Sequence, residues 1–146
     1  MRVLLTNSLD VPLLRILLMG RFRSPSCGYK LVMISTKALY ERWINELWAG
    51  EPVAAEIVTD DFVGHWPDRD VHGPDELQAI IAETRNMLAD LTFAIELGPL
   101  VDGDMVAGRW VGEGRSVDGP MSFTGNDILR VRDDRFAEYW TGTSAG

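Results

Sequence analysis

The chain has 146 residues, a net charge of -8 and a pI near 4.7; this length suits one domain with a sizeable core, and the acidic balance argues against nucleic acid, since phosphate binding needs a concentrated basic surface. One cysteine, Cys27, excludes both a disulfide framework and a cysteine-based zinc centre and fits a reducing, cytoplasmic setting. A small neutral or apolar ligand suits such a chain better than a polyanion, and no motif asks for a cofactor.

Charge is unevenly distributed. Residues 1–32 carry five basic side chains against Asp10 alone, whereas residues 33–146 carry nine against twenty-one acidic ones. The apolar run over residues 11–19 is broken by Pro12 and Arg15 and falls short of the roughly 20 residues that cross a bilayer, so no membrane segment is expected. Ser24-Pro25-Ser26-Cys27 makes a poor cleavage site for a signal peptide. Residues 1–32 are therefore expected to be a basic leader, poorly ordered or an upstream extension ahead of Met33, with the domain over residues 33–146.

Ser35 or Thr36 can cap a first helix in which Leu39, Tyr40, Trp43, Ile44, Leu47 and Trp48 recur at three- and four-residue spacing, and Gly50 ends it. Pro52 opens a shorter helix through Val53, Ala54, Ile57 and Val58, stopping at Asp60-Asp61. Residues 62–66 read as a strand and residues 67–73 as a polar turn. His65, His72, Asp68 and Asp70 in this region match no metal-ligand spacing, so no metal is expected. Pro74, Asp75 and Glu76 begin a third helix whose buried face is Leu77, Ile80, Ile81, Thr84, Met87 and Leu88.

Beyond Asp90 the apolar period becomes two. Leu91, Phe93, Ile95 and Leu97 share one side of a strand ending near Gly98-Pro99, and further strands are predicted over residues 105–114, 120–132 and 135–142. Their connections are short enough for antiparallel hairpins. Helices followed by such a meander imply an α+β domain in which a curved sheet wraps the helices and leaves a pocket at one end. Within the third of these strands Phe123, Asp127, Leu129 and Val131 point the same way. A carboxylate in such company must be paired, protonated or wet, which makes Asp127 the leading site candidate.

The order helix, helix, strand, helix and four strands resembles the nuclear transport factor 2-like (NTF2-like) cone, and within it the SnoaL-like polyketide cyclase branch. The stretches that carry the resemblance are Arg42-Trp43 through Ala49-Gly50-Glu51, Asp61-Phe62-Val63-Gly64-His65-Trp66-Pro67, Gly73-Pro74-Asp75-Glu76-Leu77, Gly103-Asp104-Met105-Val106-Ala107-Gly108-Arg109-Trp110, and Asn126-Asp127-Ile128-Leu129-Arg130-Val131 with Glu138-Tyr139-Trp140. It implies three N-terminal helices packed in a curved, mostly antiparallel sheet that encloses a pocket. It also implies a homodimer through the outer sheet face around Ile128 and Arg130.

The catalytic positions of related families transfer incompletely. Against ketosteroid isomerases, the tyrosine position is Trp43, the base position is Trp66 and the oxyanion aspartate is Asp127; an indole N–H donates a hydrogen bond but takes no proton. The acid/base aspartate of polyketide cyclases corresponds to Ser144 and their histidine to Ser116. The strand pair of limonene-type epoxide hydrolases reads Arg109-Trp110-Val111, with Gly142 at the later aspartate. What remains is Asp127 with His65 as a candidate acid/base pair, and a candidate ligand pocket of Tyr40, Trp43, Trp66, Met87, Arg109, Phe123 and Trp140. In the alternative reading Arg109 merely neutralises Asp127 and His65 is a hydrogen-bonded histidine at the mouth of the cone. Two function classes follow: an isomerase, cyclase or hydratase acting on a small hydrophobic carbonyl compound, or a binding or accessory module using the same pocket without turnover.

Overall fold

The structure, a computed structural model, describes residues 34–145; the expected leader lies outside the described residues. Ser35 caps α1 (Thr36–Arg42), its Oγ accepting the Ala38 N–H at 3.1 Å. The helix then widens into a π turn, Trp43–Leu47, closed by the Trp48 N–H on the Trp43 carbonyl at 3.1 Å. All six residues of the expected stripe are buried. In an α-helix, side chains five apart diverge by ~140°; here the wider turn leaves Trp43 and Trp48 edge to face, 6.4 Å apart. That geometry has no signature in the sequence.

The second helix is shorter than expected. α2 (Ala54–Ile57) is a single turn, and Val58 is already extended. Val58 and Thr59 have β-branched side chains that favour extended backbone, and a partner is available: β1 (Val58–His65) runs parallel to the last strand, with Val58 opposite Phe136. Asp60 and Asp61 are consequently exposed strand residues rather than a helix end, and Asp61 pairs with Arg132. The expected polar turn contains a short strand, β2 (Asp70–His72), antiparallel to β1. α3 (Gly73–Met87) buries Leu77, Ile80 and Ile81, each contributing about 1.5–3 kcal/mol. Thr84 and Leu88 are half-buried. Met87, expected on the buried face, is 71% exposed because the helix ends beside the open rim of the sheet.

Four long strands complete the domain: β3 (Ala89–Asp102), β4 (Met105–Ser116), β5 (Gly119–Arg132) and β6 (Arg135–Ala145). β3 runs past its expected end at Gly98-Pro99, with register shifts against β4 on either side of Leu97. The sheet order is β2-β1-β6-β5-β4-β3, antiparallel except between β1 and β6. Asp133 and Asp134, at φ 52° and 59°, make the tight turn joining β5 to β6. The inner face supplies Val106, Trp110, Leu129, Phe136 and Tyr139 to the core shared with the helices. On the outer face a single register row joins Leu100, Ala107, Ile128, Trp140 and His65. Among the described residues no helix is long and apolar enough to cross a membrane. The expected α+β cone is the observed architecture.

Candidate functional site

Asp127 sits at the middle of the inner face, 1% exposed, and accepts four hydrogen bonds. Oδ1 takes the Trp110 Nε1–H and the Tyr139 hydroxyl, each at 2.8 Å. Oδ2 takes the Tyr40 hydroxyl and the Trp43 Nε1–H, each at 3.2 Å. The donors come from α1, the π turn, β4 and β6, so the carboxyl ties both sides of the cone together. Two glycines open the approaches. Gly108 stands opposite Asp127 in the β4–β5 register, and a Cβ there would overlap the Tyr40 hydroxyl. Gly125 stands opposite Trp110, and a Cβ there would overlap the indole that leans across to Oδ1.

Burial pushes the Asp127 carboxyl up to about 6, with the bonds from Trp110, Tyr139, Tyr40 and Trp43 holding it down against a larger rise. The same burial, reinforced by the adjacent carboxylate, raises the Tyr40 and Tyr139 hydroxyls well above the usual phenol range, so both remain protonated donors at neutral pH. Asp127 is thus a buried acid that changes charge near neutrality. Its four acceptor positions are filled by protein.

Beside it lies a chamber of about 140 Å³ lined by Trp48, Trp66, Thr84, Phe93, Trp110, Phe123, Tyr139, Thr141 and Thr143. Phe93, Trp110 and Phe123 pack mutually edge to face, with centroids 5.3–5.9 Å apart, and Trp66 meets Tyr139 at 5.1 Å. Thr84, Phe123 and Thr143 also line an apolar mouth that Met87, Leu88 and Met121 extend to the surface. Carboxyl and chamber are separated by Trp110 and Tyr139, which touch both. Among the described residues no charged side chain lines the chamber.

The structure distributes the sequence candidates over three places. Trp66, Phe123 and Met87 line the chamber or its mouth. Tyr40 and Trp43 lie behind it, fully buried and bonded to Asp127. His65, Arg109 and Trp140 belong to the outer sheet face, away from Asp127, because side chains alternate along each strand. His65 Nδ1 meets Asp70 at 2.9 Å and Nε2 meets Glu138 at 3.0 Å, and the ring stacks on Trp140 at 5.6 Å. Bonds to Glu138 and Asp70 raise its pKa. Arg109 donates to Glu96 at 2.7 Å and reaches Asn126, its register partner, at 3.4 Å. The expected pairing of Asp127 with His65 is therefore corrected, as is neutralisation of Asp127 by Arg109.

Sequence reasoning missed Trp110, Tyr139 and Thr141 as site residues. For Trp110 a signal existed: counting by two along β4 from buried Val106 leads through Gly108 to Trp110. For Tyr139 it did not, since a register shift at Arg130/Val131 decides whether Tyr139 or Trp140 points inward.

Comparison with known proteins identifies the family. The SnoaL-like domain model matches residues 40–139, and the chain belongs to that family. Among solved structures it is similar to a proposed polyketide cyclase from Bacillus cereus ATCC 10987, 26% identical over 73% of this chain and 72% of that one, with a TM-score of 0.67. A proposed SnoaL-like polyketide cyclase from Jannaschia sp. CCS1 is 19% identical over 86% and 92% of the two chains, with a TM-score of 0.66. A protein of ketosteroid isomerase-like fold from Catenulispora acidiphila DSM 44928, solved with trimethylamine, is 18% identical over 74% and 86%, with a TM-score of 0.64. The latter two likenesses concern the fold alone. No curated protein matches the chain.

Proposed function

We propose that this SnoaL-like protein binds a small, largely apolar molecule carrying a carbonyl or hydroxyl oxygen, which enters between the end of α3 and strands β5 and β6. One observation carries this reading: an apolar mouth at Met87, Leu88 and Met121 leads into an aromatic chamber whose wall includes the hydroxyl-bearing residues Tyr139, Thr141 and Thr143. Aromatic walls supply apolar contact and a few hydroxyls fix orientation. The likeness to a proposed polyketide cyclase supports an oxygenated ring compound as the ligand class. The binding or accessory role is favoured over turnover, since Asp127 is sealed and the described lining contains no carboxylate, histidine or lysine to serve as a general base.

Turnover of isomerase, cyclase or hydratase type has one feature in its favour, the burial that raises the Asp127 carboxyl to about 6. In that case the acid acts through Tyr139 rather than by contact. Screening ketones and lactones by thermal shift, and following each hit for product, separates the two readings. Binding without product is the expected result; product whose rate collapses in Asp127→Asn would establish an enzyme. The outer sheet face, with Leu100, Ala107, Ile128 and Trp140 in one row, supports a homodimer, and the lone cysteine supports a cytoplasmic location.

A further inference from the structure

The four donors around Asp127 are not equivalent. Trp43 and Trp110 offer indole N–H groups, which only donate; Tyr40 and Tyr139 offer hydroxyls, which can also accept. When Asp127 takes up a proton, its new hydrogen must therefore go to a tyrosine oxygen, and that tyrosine must send its own hydrogen elsewhere. Tyr40 is 0% exposed with its hydroxyl against Gly108. Tyr139 borders the chamber, and so does Thr141, two residues further along β6 and near enough to bear on the Tyr139 hydroxyl. Thr141 is the register partner of Asp127 and lies 3.4 Å, oxygen to oxygen, from Thr143 at the mouth.

We propose that Thr141, Tyr139 and Asp127 form a hydroxyl wire between the chamber and the sealed carboxyl, and that the protonation of Asp127 sets whether the chamber wall offers a ligand an acceptor or a donor. This inference rests on the ligand-binding reading above. With Asp127 ionised, Tyr139 donates to Oδ1 and Thr141 donates to Tyr139, so the hydrogens point inward and a lone pair faces the chamber. With Asp127 protonated, the carboxyl donates to Tyr139, Tyr139 to Thr141, and the Thr141 hydrogen turns toward the chamber, where Thr143 or a ligand carbonyl accepts it. Each oxygen passes one hydrogen to the next, and the net change is one proton taken from solvent through the chamber.

Few other groups can interfere. Among the described residues, the elements around Asp127 present, besides the two tyrosines from α1 and β6, only indoles from the π turn and β4. α3, β3 and β5 contribute Thr84, Phe93 and Phe123 to the chamber, and Trp66 follows β1. Arg85 of α3 is held by the carbonyls of Trp48 and Leu91. His65 and Arg109 are bonded on the outer face.

Cyclohexanone and cyclohexanol, which do not titrate between pH 5 and 8, form a matched pair of probes. Their affinities are to be measured across that range, with occupancy of the chamber read from nuclear Overhauser contacts to Tyr139 and Phe123. With Asp127 titrating at about 6, the ketone should weaken relative to the alcohol by at least about tenfold between pH 5 and pH 8, by single-proton linkage. Calorimetry at pH 7 in two buffers of different ionisation enthalpy should show close to one proton taken up per ketone and none per alcohol. Thr141→Val should flatten the ketone-to-alcohol ratio while Asp127, followed by its carboxyl ¹³C signal, titrates as in wild type. A ratio independent of pH, or ketone binding without proton uptake in the wild type, overturns the wire and leaves the pocket reading standing. An unchanged pH dependence in folded Thr141→Val overturns the route through Thr141. Failure of both probes to enter the chamber overturns the pocket reading and this inference with it.

Discussion

At the level of single residues, Asp127 is held by an arrangement that an amide cannot copy. Each carboxyl oxygen accepts one indole and one phenol, so whichever way a substituted amide turned, its NH₂ would face an indole N–H. Asp127→Asn should therefore lose about 1–3 kcal/mol at pH 5. Asp127→Leu should lose more, since it leaves four buried donors without an acceptor. The pH dependence runs opposite to that of an exposed salt-bridged carboxylate. The folded value, about 6, lies above the ordinary 3.8, so the contribution of this group is fully present at low pH and disappears as pH rises through 6. The whole effect is on the order of 3 kcal/mol, roughly half of it between pH 5 and pH 8. In urea unfolding, the gap between wild type and Asp127→Asn should narrow by that amount across this interval; a constant gap would show that Asp127 does not titrate there.

Among the elements, strands β4 and β5 deliver the site because each omits a side chain where a ring must pass. Gly125→Ala would put a methyl into the Trp110 indole, forcing the ring off Oδ1. The expected loss is about 1–3 kcal/mol, accompanied by a change in the near-ultraviolet circular dichroism of tryptophan. A wild-type spectrum and stability would show that the indole position does not depend on the notch. The elements themselves were unequally legible. α1 and α3 announce themselves through periodic apolar residues and a cap or proline start, which are local properties of the chain. β2 and the early end of α2 do not, since the early end depends on β1 finding β6 far along the chain, and β2 in turn on β1.

Across the molecule as a whole, the outer sheet face brings an apolar row beside an ionic cluster in which His65 bridges Asp70 and Glu138 while Arg130 holds Glu138 and covers Trp140. Sedimentation at micromolar concentration should give twice the 16.3 kDa chain mass, and Ile128→Glu should give the monomer, because a charge in the middle of the row opposes burial. A monomeric wild type would remove the dimer assignment and leave the chamber untouched. His65, whose pKa is raised by its carboxylate partners, adds stability that is present below its ordinary value and lost as pH rises through the raised one. His65→Gln should accordingly flatten the alkaline side of the melting-temperature profile; an unchanged profile would mean that the cluster does not contribute.

Residue spacing specified an α+β domain with a curved sheet and singled out one carboxyl on it, and the resemblance of its motifs specified the cone. Helical and strand periods are written in that spacing, and Asp127 among Phe123, Leu129 and Val131 is conspicuous from alternation. What surrounds the carboxyl was settled by the folded chain. Tyr40, Trp43, Trp110 and Tyr139 converge from four separate elements, and His65 and Trp140 turn to the other face. The reason is physical: a register shift or a π turn redirects every side chain beyond it, and which shift is taken depends on the packing of strands and helices distant in the chain rather than on the residues next to it.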